Sequence, residues 1–392
     1  MMIEQPINEF SCHVCGRPEL DEVGDYGSLP RVTSDCKPFP PEGRLAVCAV
    51  CGAVQKPADR RWLAEISDIY QTYDIYFQSS GVEQAVFDPA NGVPNLRSRA
   101  LLTRVEEAKP IADQGSLIDI GCGRGAFLSA FANFRPRWNL YGHELSPRDA
   151  DSLLRITAFR QLFSGPLKVL PRTFDIVSLI HSLEHFDDPL QGLRELREKL
   201  TDDGCLIVEV PNAAATAFDL VVADHASHFS ASDLARLFHQ AGLEPIVVAD
   251  HWITKELSAV GRCGSVGDVS IPAGAAAHAR KKVQAQVDWL RAVLNEARRV
   301  ADAAGGRFGI FGTSIAAMWL FGELGDRVAF FVDEDPGRGR VLHGRDVLSP
   351  AQVADGSVVF MALIPAVAAA VSQRLRGRNV SWVSPPEFAA VD

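Results

Sequence analysis

Between residues 115 and 250 the chain alternates short apolar runs with longer stretches whose apolar residues return at helical spacing. Residues 117–120, 138–142, 174–180 and 205–210 are nearly all apolar, as strands covered on both faces of a parallel sheet are. The stretches between them, opening with Ala126-Phe127-Leu128 and with Leu190 behind an Asp187-Asp188-Pro189 cap, read as helices. The region therefore predicts a parallel sheet with helices on its faces. A helix over residues 95–109 precedes it and ends at Pro110. Another opens at Phe229-Ser230-Ala231-Ser232-Asp233, runs through Ala241 and stops at Gly242. Strands follow near 245–249 and 255–260, then a Gly/Ala-rich connection over 261–277 and a long helix over 278–303. Beyond Gly305 the pattern restarts: a strand at Arg307-Phe308-Gly309-Ile310-Phe311, a turn at Gly312-Thr313-Ser314, a helix, and a strand that ends in Asp333.

The first strand breaks into Gly121-Cys122-Gly123-Arg124-Gly125, directly ahead of a helix. Alternate glycines let the backbone turn sharply and approach a ligand without Cβ clashes, and a helix N-terminus offers unpaired N–H groups. The spacing G-x-G-x-G is neither the dinucleotide pattern G-x-G-x-x-G nor a Walker A loop. Asp119 lies inside the strand. Glu144 follows the second strand about twenty residues on, where a carboxylate can accept both hydroxyls of a ribose.

Composition narrows the partners. With 392 residues the chain has room for two or three domains. Its 39 basic and 49 acidic residues leave a net charge of −10, so no broad basic field invites nucleic acid or an anionic membrane. The start, MMIEQPINEF, lacks the basic and apolar regions of a signal peptide, and the apolar run at 358–371 is interrupted by Pro365. A cytoplasmic protein is expected. Five of the eight cysteines fall before residue 52, and Cys12, Cys15, Cys48 and Cys51 form two C-x-x-C-Gly knuckles. That pattern suits a closed, tetrahedral four-thiolate zinc site that staples a Gly- and Pro-rich segment. Cys36 is an alternative ligand. Residues 61–80 are tyrosine-rich and start at helical spacing; they read either as packing between modules or as a lid.

Taken together, LIDIGCGRG, YGHELSP with its Glu144, FDIVSLIHSLEHFDDP and GCLIVEVPN resemble the class I S-adenosylmethionine (SAM)-dependent methyltransferases. A dehydrogenase would need a third glycine that Arg124-Gly125-Ala126-Phe127 does not supply. The resemblance implies that Asp119, Gly121, Cys122, Gly123 and Gly125 carry the methionine end of SAM and that Glu144 and Leu145 hold its ribose. Phe163, in a segment without the usual acid, would hold the adenine. His181, Glu184 and His185 would form pocket wall.

With its flanks added, the chain resembles the nucleotide-sugar C-methyltransferases that methylate C3 of a 4-keto sugar. The implied architecture is α/β: a Rossmann-like class I methyltransferase domain between an N-terminal zinc-binding module and a C-terminal Rossmann-like α/β domain, in which residues 337–350 form a turn and hairpin. The expected divisions are a zinc module over 1–60, an aromatic lid or linker over 61–96, the SAM domain over 97–262, a connecting segment and long helix over 263–303, and the C-terminal domain over 304–392. Where that family has a His-Glu-His motif, this chain has Ala223-Asp224-His225, and His228 replaces a tyrosine. Removing a proton beside a ketone needs a base within hydrogen-bond reach and donors for the enolate oxygen. His225, oriented by Asp224, is the expected base, with Tyr76 or Tyr73 near the developing charge and His228 nearby. O-methylation of a sugar or another small polar metabolite needs only a base and close placement of the methyl group, and stands as the alternative. A SAM-binding scaffold is the third reading.

Overall fold

The computed structural model describes residues 11–73, 85–87, 94–145, 150–170, 173–267, 269–335, 339–377 and 379–388. Tyr76 lies outside them.

The central sheet has seven strands: β1 Ser116–Ile120, β2 Asn139–His143, β3 Phe159–Phe163, β4 Phe174–Ile180, β5 Leu200–Pro211, β6 Leu243–Ala249 and β7 Glu256–Cys263. Their spatial order is 3-2-1-4-5-7-6. Strands β1 to β5 run parallel, and β7 is antiparallel to both of its neighbours. Leu117, Ile118, Val177, Leu206, Ile207 and Val208 are fully buried along its middle, which is why these strands read as apolar runs. The order reverses between β1 and β4, so a crevice opens beyond their carboxyl ends, the usual ligand position in such sheets. The β3 strand was not anticipated from the pattern. It pairs on one side only, and Arg160 and Gln161 are exposed.

The N-terminal module is a four-stranded sheet in the order Leu20–Glu22, Ala46–Cys48, Val54–Gln55, Ser227–His228. Its last strand thus comes from the loop that follows β5. A hairpin, Arg31–Val32 with Pro38–Phe39, and the helix Arg60–Gln71 complete the module. Asp59 caps that helix by accepting from the Trp62 N–H at 2.8 Å.

The C-terminal part has six strands in the order Val341–Leu342, Arg345–Leu348, Phe330–Val332, Phe308–Phe311, Val358–Met361, Ser381–Val383. The 341–348 hairpin falls within the stretch expected to form one. The long helix spans Ala275–Ala304 and is more than a connector. Its Trp289, Leu290 and Val293 share one core with Phe308, Trp319 and Phe331 of the C-terminal part and with Tyr26 and Leu29 of the N-terminal module. Among the described residues no helix is long and apolar enough to cross a membrane.

Candidate functional site

The crevice holds a cavity of about 420 Å³. One wall is the glycine turn. Gly121, Gly123 and Gly125 have φ of 72°, 52° and 84°, the left-handed region that the turn requires. The Gly121 and Cys122 N–H groups donate to the His143 carbonyl at 2.9 and 3.2 Å, which ties the turn to the end of β2. Glu144 stands next in line. Its Oε1 accepts from the Gly123 N–H at 2.6 Å and its Oε2 from the Leu145 N–H at 3.2 Å. Gly121, Gly123, Glu144, Leu145 and His181 all line the cavity.

Four of the expected cofactor residues sit behind this wall. Asp119 is buried and accepts from the Ser178 hydroxyl at 2.7 Å; burial pushes its carboxyl up to about 8. The Cys122 thiol fills the space where a Cβ on Gly142 would lie. Gly125 caps the following helix against Leu153 and Ile156. Phe163, the expected adenine contact, is not among the cavity-lining residues. Leu162 lines the cavity, and alternation along a strand then turns Phe163 the other way, where it stacks on Tyr141 at 6.1 Å. Leu162, Gly165, Pro166 and Leu167 make up the apolar side expected for an adenine.

The floor is polar and densely charged. His181 has φ of 52° and points Nδ1 at Glu184 (3.4 Å) and Nε2 at Glu209 (3.5 Å) and Glu256 (3.6 Å). Arg97 lies 3.2 Å from Glu209. Burial and Arg97 oppose protonation of His181, but the three carboxylates together raise it to about 10. His181 is therefore a fixed cation rather than a base near neutral pH. Both carboxylate oxygens of Glu184 are buried without a hydrogen-bond partner among the described residues. A buried carboxylate left so is costly unless a ligand completes it.

Tyr70, Tyr73 and His185 line the opposite wall; the expected catalytic residues His225, Asp224 and His228 are buried next to His185 rather than in the lining, and are differently paired. His225 Nδ1 meets Asp219 Oδ1 at 2.8 Å, so Asp219, not Asp224, orients the ring. Asp224 instead accepts from the Ser34 N–H at 2.8 Å and the Ser34 hydroxyl at 2.5 Å. His228 is buried behind His225, with Nδ1 2.7 Å from Asp219 Oδ2 and Nε2 2.9 Å from Lys56 Nζ. That packing leaves His228 as support for the wall. Burial, helped by Lys56, lowers it to about 4, so it is neutral. His185 lines the cavity and lies edge-on to His225, with ring centroids 4.9 Å apart. Ligand atoms of Glu184, His185 and His225 lie within 4.8 Å of one another. Tyr70 and Tyr73 also line the cavity; Tyr70 reaches His185 Nδ1 at 3.2 Å and Tyr73 reaches Ser34 at 2.9 Å. Burial raises both phenols well above their ordinary value, so they remain O–H donors. The sequence pattern singled out neither Asp219, Lys56 nor Ser34.

Within the N-terminal module the four knuckle thiols converge, in the same apolar cluster as residues of the central sheet. Cys12 and Cys51 Sγ are 3.5 Å apart, Cys15 and Cys48 Sγ 3.6 Å apart, and all four lie within 4.8 Å of one another. The N–H groups of Val14 and Cys15 point at Cys12 Sγ, and those of Val50 and Cys51 at Cys48 Sγ, each at 3.4 Å. A tetrahedral thiolate site with metal–sulfur bonds of about 2.3 Å has edges of about 3.8 Å, close to this spacing. Cys36 is not in the group; it sits at φ 63° in the hairpin turn, its N–H bonded to Thr33.

Residues 95–248, less than half the chain, match a family model described as a methyltransferase domain. No curated protein matches the chain. Among solved structures, a S-adenosylmethionine-dependent methyltransferase from Clostridium acetobutylicum is 13% identical over 43% of this chain and 91% of its own, with a TM-score of 0.36. CalO1, a methyltransferase in calicheamicin biosynthesis solved with SAH, is 20% identical over 43% of this chain and 54% of its own, with a TM-score of 0.34. Human N-acetylserotonin methyltransferase in complex with SAM is 14% identical over 43% and 52%, with a TM-score of 0.37.

Proposed function

We propose that this SAM-dependent methyltransferase methylates the carbon beside a ketone in a nucleotide-linked sugar, with His225 as the base. The observation that carries this reading is the His225–Asp219 pair, set near the cavity beside a buried Glu184 that is ion-paired with His181 but has hydrogen-bonding capacity to spare. Bound SAM would supply an electrophilic methyl group, with Glu144 on its ribose and the glycine turn at its methionine end. On the other wall, His225 Nδ1 faces Asp219, which leaves Nε2 to take a proton from the acceptor carbon. The C–H electron pair becomes an enolate, and the Tyr70 and Tyr73 hydroxyls are the donors available to its oxygen. Glu184 is suited to accept from an acceptor hydroxyl. The enolate carbon then bonds to the methyl group as the methyl–sulfur bond breaks, and its electron pair stays on sulfur.

The four cysteines are assigned to Zn²⁺, in a structural role. Four thiolates leave no open coordination position, so the metal holds the module and takes no part in the transfer.

Methyl transfer from labelled SAM to a panel of nucleotide-linked 4-keto sugars tests the base. His225→Ala is expected to lower the rate about 10³-fold, within the usual range for a general base, while SAM binding is unchanged. An intact rate would remove His225 from this role. Product carrying the methyl on oxygen would favour O-methylation instead.

A further inference from the structure

Asp219 is not among the cavity-lining residues, yet both of its carboxylate oxygens are engaged next to His225. It is buried, and its two oxygens are divided between two imidazoles, His225 Nδ1 and His228 Nδ1. A carboxylate that takes one Nδ1–H from each ring fixes both tautomers, and so fixes Nε2 as the lone-pair nitrogen of His225. The next member of the chain is Lys56, itself buried. Its Nζ has three acceptors: His228 Nε2 at 2.9 Å and the main-chain oxygens of His225 at 3.0 Å and Leu220 at 3.4 Å. Three acceptors are the full complement of an ammonium group. Burial lowers Lys56 to about 7 against the pull of Asp219.

The N-terminal module supplies several anchors of this chain beyond Asp219, alongside the Glu184 carbonyl that accepts from the Ala226 N–H at 2.7 Å. The Lys56 N–H donates to the Ala226 carbonyl at 2.9 Å, and Ser227 and His228 pair with Gln55 and Val54 as the fourth strand of the cysteine sheet. His13, inside the first knuckle, reaches the Ser227 hydroxyl through Nδ1 at 2.8 Å, and its N–H donates to the Gln55 side chain at 2.7 Å. The segment that bears His225 is thus built into the sheet that the knuckles close.

We propose that Asp219, braced by His228 and Lys56, is the positioning residue for His225, and that the four-cysteine module acts on methyl transfer through this brace. The inference rests on the reading of His225 as base. It adds a division of labour: Asp219 holds the Nδ1–H and balances the imidazolium formed when Nε2 takes a proton, while Lys56 keeps Asp219 from turning away. The other charged or titratable groups facing His225 are Glu184, His185 and Asp224.

The test uses the full-length protein loaded with S-adenosylhomocysteine and labelled with ¹⁵N-histidine. The His225 ring signals are assigned by their loss in His225→Ala. Asp219→Asn is expected to move the His225 titration midpoint down by at least about one pH unit, because a nearby anion is removed. With a keto-sugar acceptor, kcat is expected to fall about 10²-fold at unchanged KM, in the range seen for lost orienting partners. Asp219→Glu is expected to recover part of both. Lys56→Met should give a smaller fall in kcat, with the His225 midpoint moving up, because a nearby cation is removed. An unmoved His225 midpoint in an Asp219→Asn protein that binds S-adenosylhomocysteine overturns the proposal. If Asp219→Asn does not fold, Lys56→Met and His228→Gln decide it: kcat and midpoint unchanged in both overturns it. Activity retained in His225→Ala defeats the base assignment itself, which the titration does not depend on.

Discussion

The cofactor wall of the cavity comes from one continuous stretch, residues 119–167, whereas the side on which His225 lies packs four further segments around the His185 turn: the Ser34 hairpin, Lys56, the helix Arg60–Gln71 and the loop 219–228. In the first wall, partners are close in sequence, as with Gly123 and Glu144. In the second, Ser34 meets Asp224 and Lys56 meets His228 across the whole methyltransferase sheet. A wall made from one strand–turn–helix–strand unit holds its shape wherever that unit folds. A wall made from four segments depends on whatever keeps the segments together, and here that is the sheet closed by the cysteine knuckles. The two halves of the proposed reaction, holding SAM and deprotonating the acceptor, should therefore fail separately.

The largest separation is expected when the proposed metal site is broken. Cys48→Ser should lower methyl transfer at least about 10²-fold, as loss of the support around a working group does, while SAM affinity changes only a few-fold. Calorimetric SAM titration beside a transfer assay checks this, and equal loss of both would erase the distinction between the walls. The converse variant is Glu144→Ala. It removes the carboxylate that spans Gly123 N–H and the expected ribose, so SAM affinity should weaken by about 2 kcal/mol, roughly 30-fold, with the His225 titration unmoved.

The smallest effect concerns the floor that the walls share. His181 is raised from its ordinary 6.5 to about 10 when folded, so its stabilising contribution is complete below about pH 6.5 and is lost as pH rises through 10. The urea midpoint should fall between pH 7 and 10, and His181→Gln should flatten that slope. A slope unchanged in the variant would show that His181 is not held as a cation.

The same contrast explains what could be read before the structure. The glycine turn, Glu144 and the apolar strands were legible because each depends on neighbours in sequence: left-handed turn positions, a helix start, a strand covered on both faces. The knuckles were legible for the same reason, since each C-x-x-C turn aims its own pair of thiols. The β3 strand that bears Phe163 was not legible because it has exposed Arg160 and Gln161 and pairs on one side, leaving no apolar run to reveal it. Asp219 was missed because it sits within Ala217-Phe218-Asp219-Leu220-Val221, which reads as core, while Asp224 adjoins His225 in sequence and seemed its natural partner. Asp224 lies in a turn that directs its carboxylate to Ser34, and the carboxylate six residues back is the one that reaches the ring. Lys56 is a single lysine in a linker, with no pattern to mark it.

The central claim is that His225 removes a proton from carbon before the methyl group arrives, and hydrogen exchange tests it without methyl transfer. The protein would be incubated in D₂O with S-adenosylhomocysteine and a nucleotide-linked 4-keto sugar. Deuterium is expected to enter the carbon beside the ketone with the parent protein and not with His225→Ala. No deuterium above the uncatalysed rate with the parent protein, together with methylation at oxygen when SAM is supplied, would contradict the account.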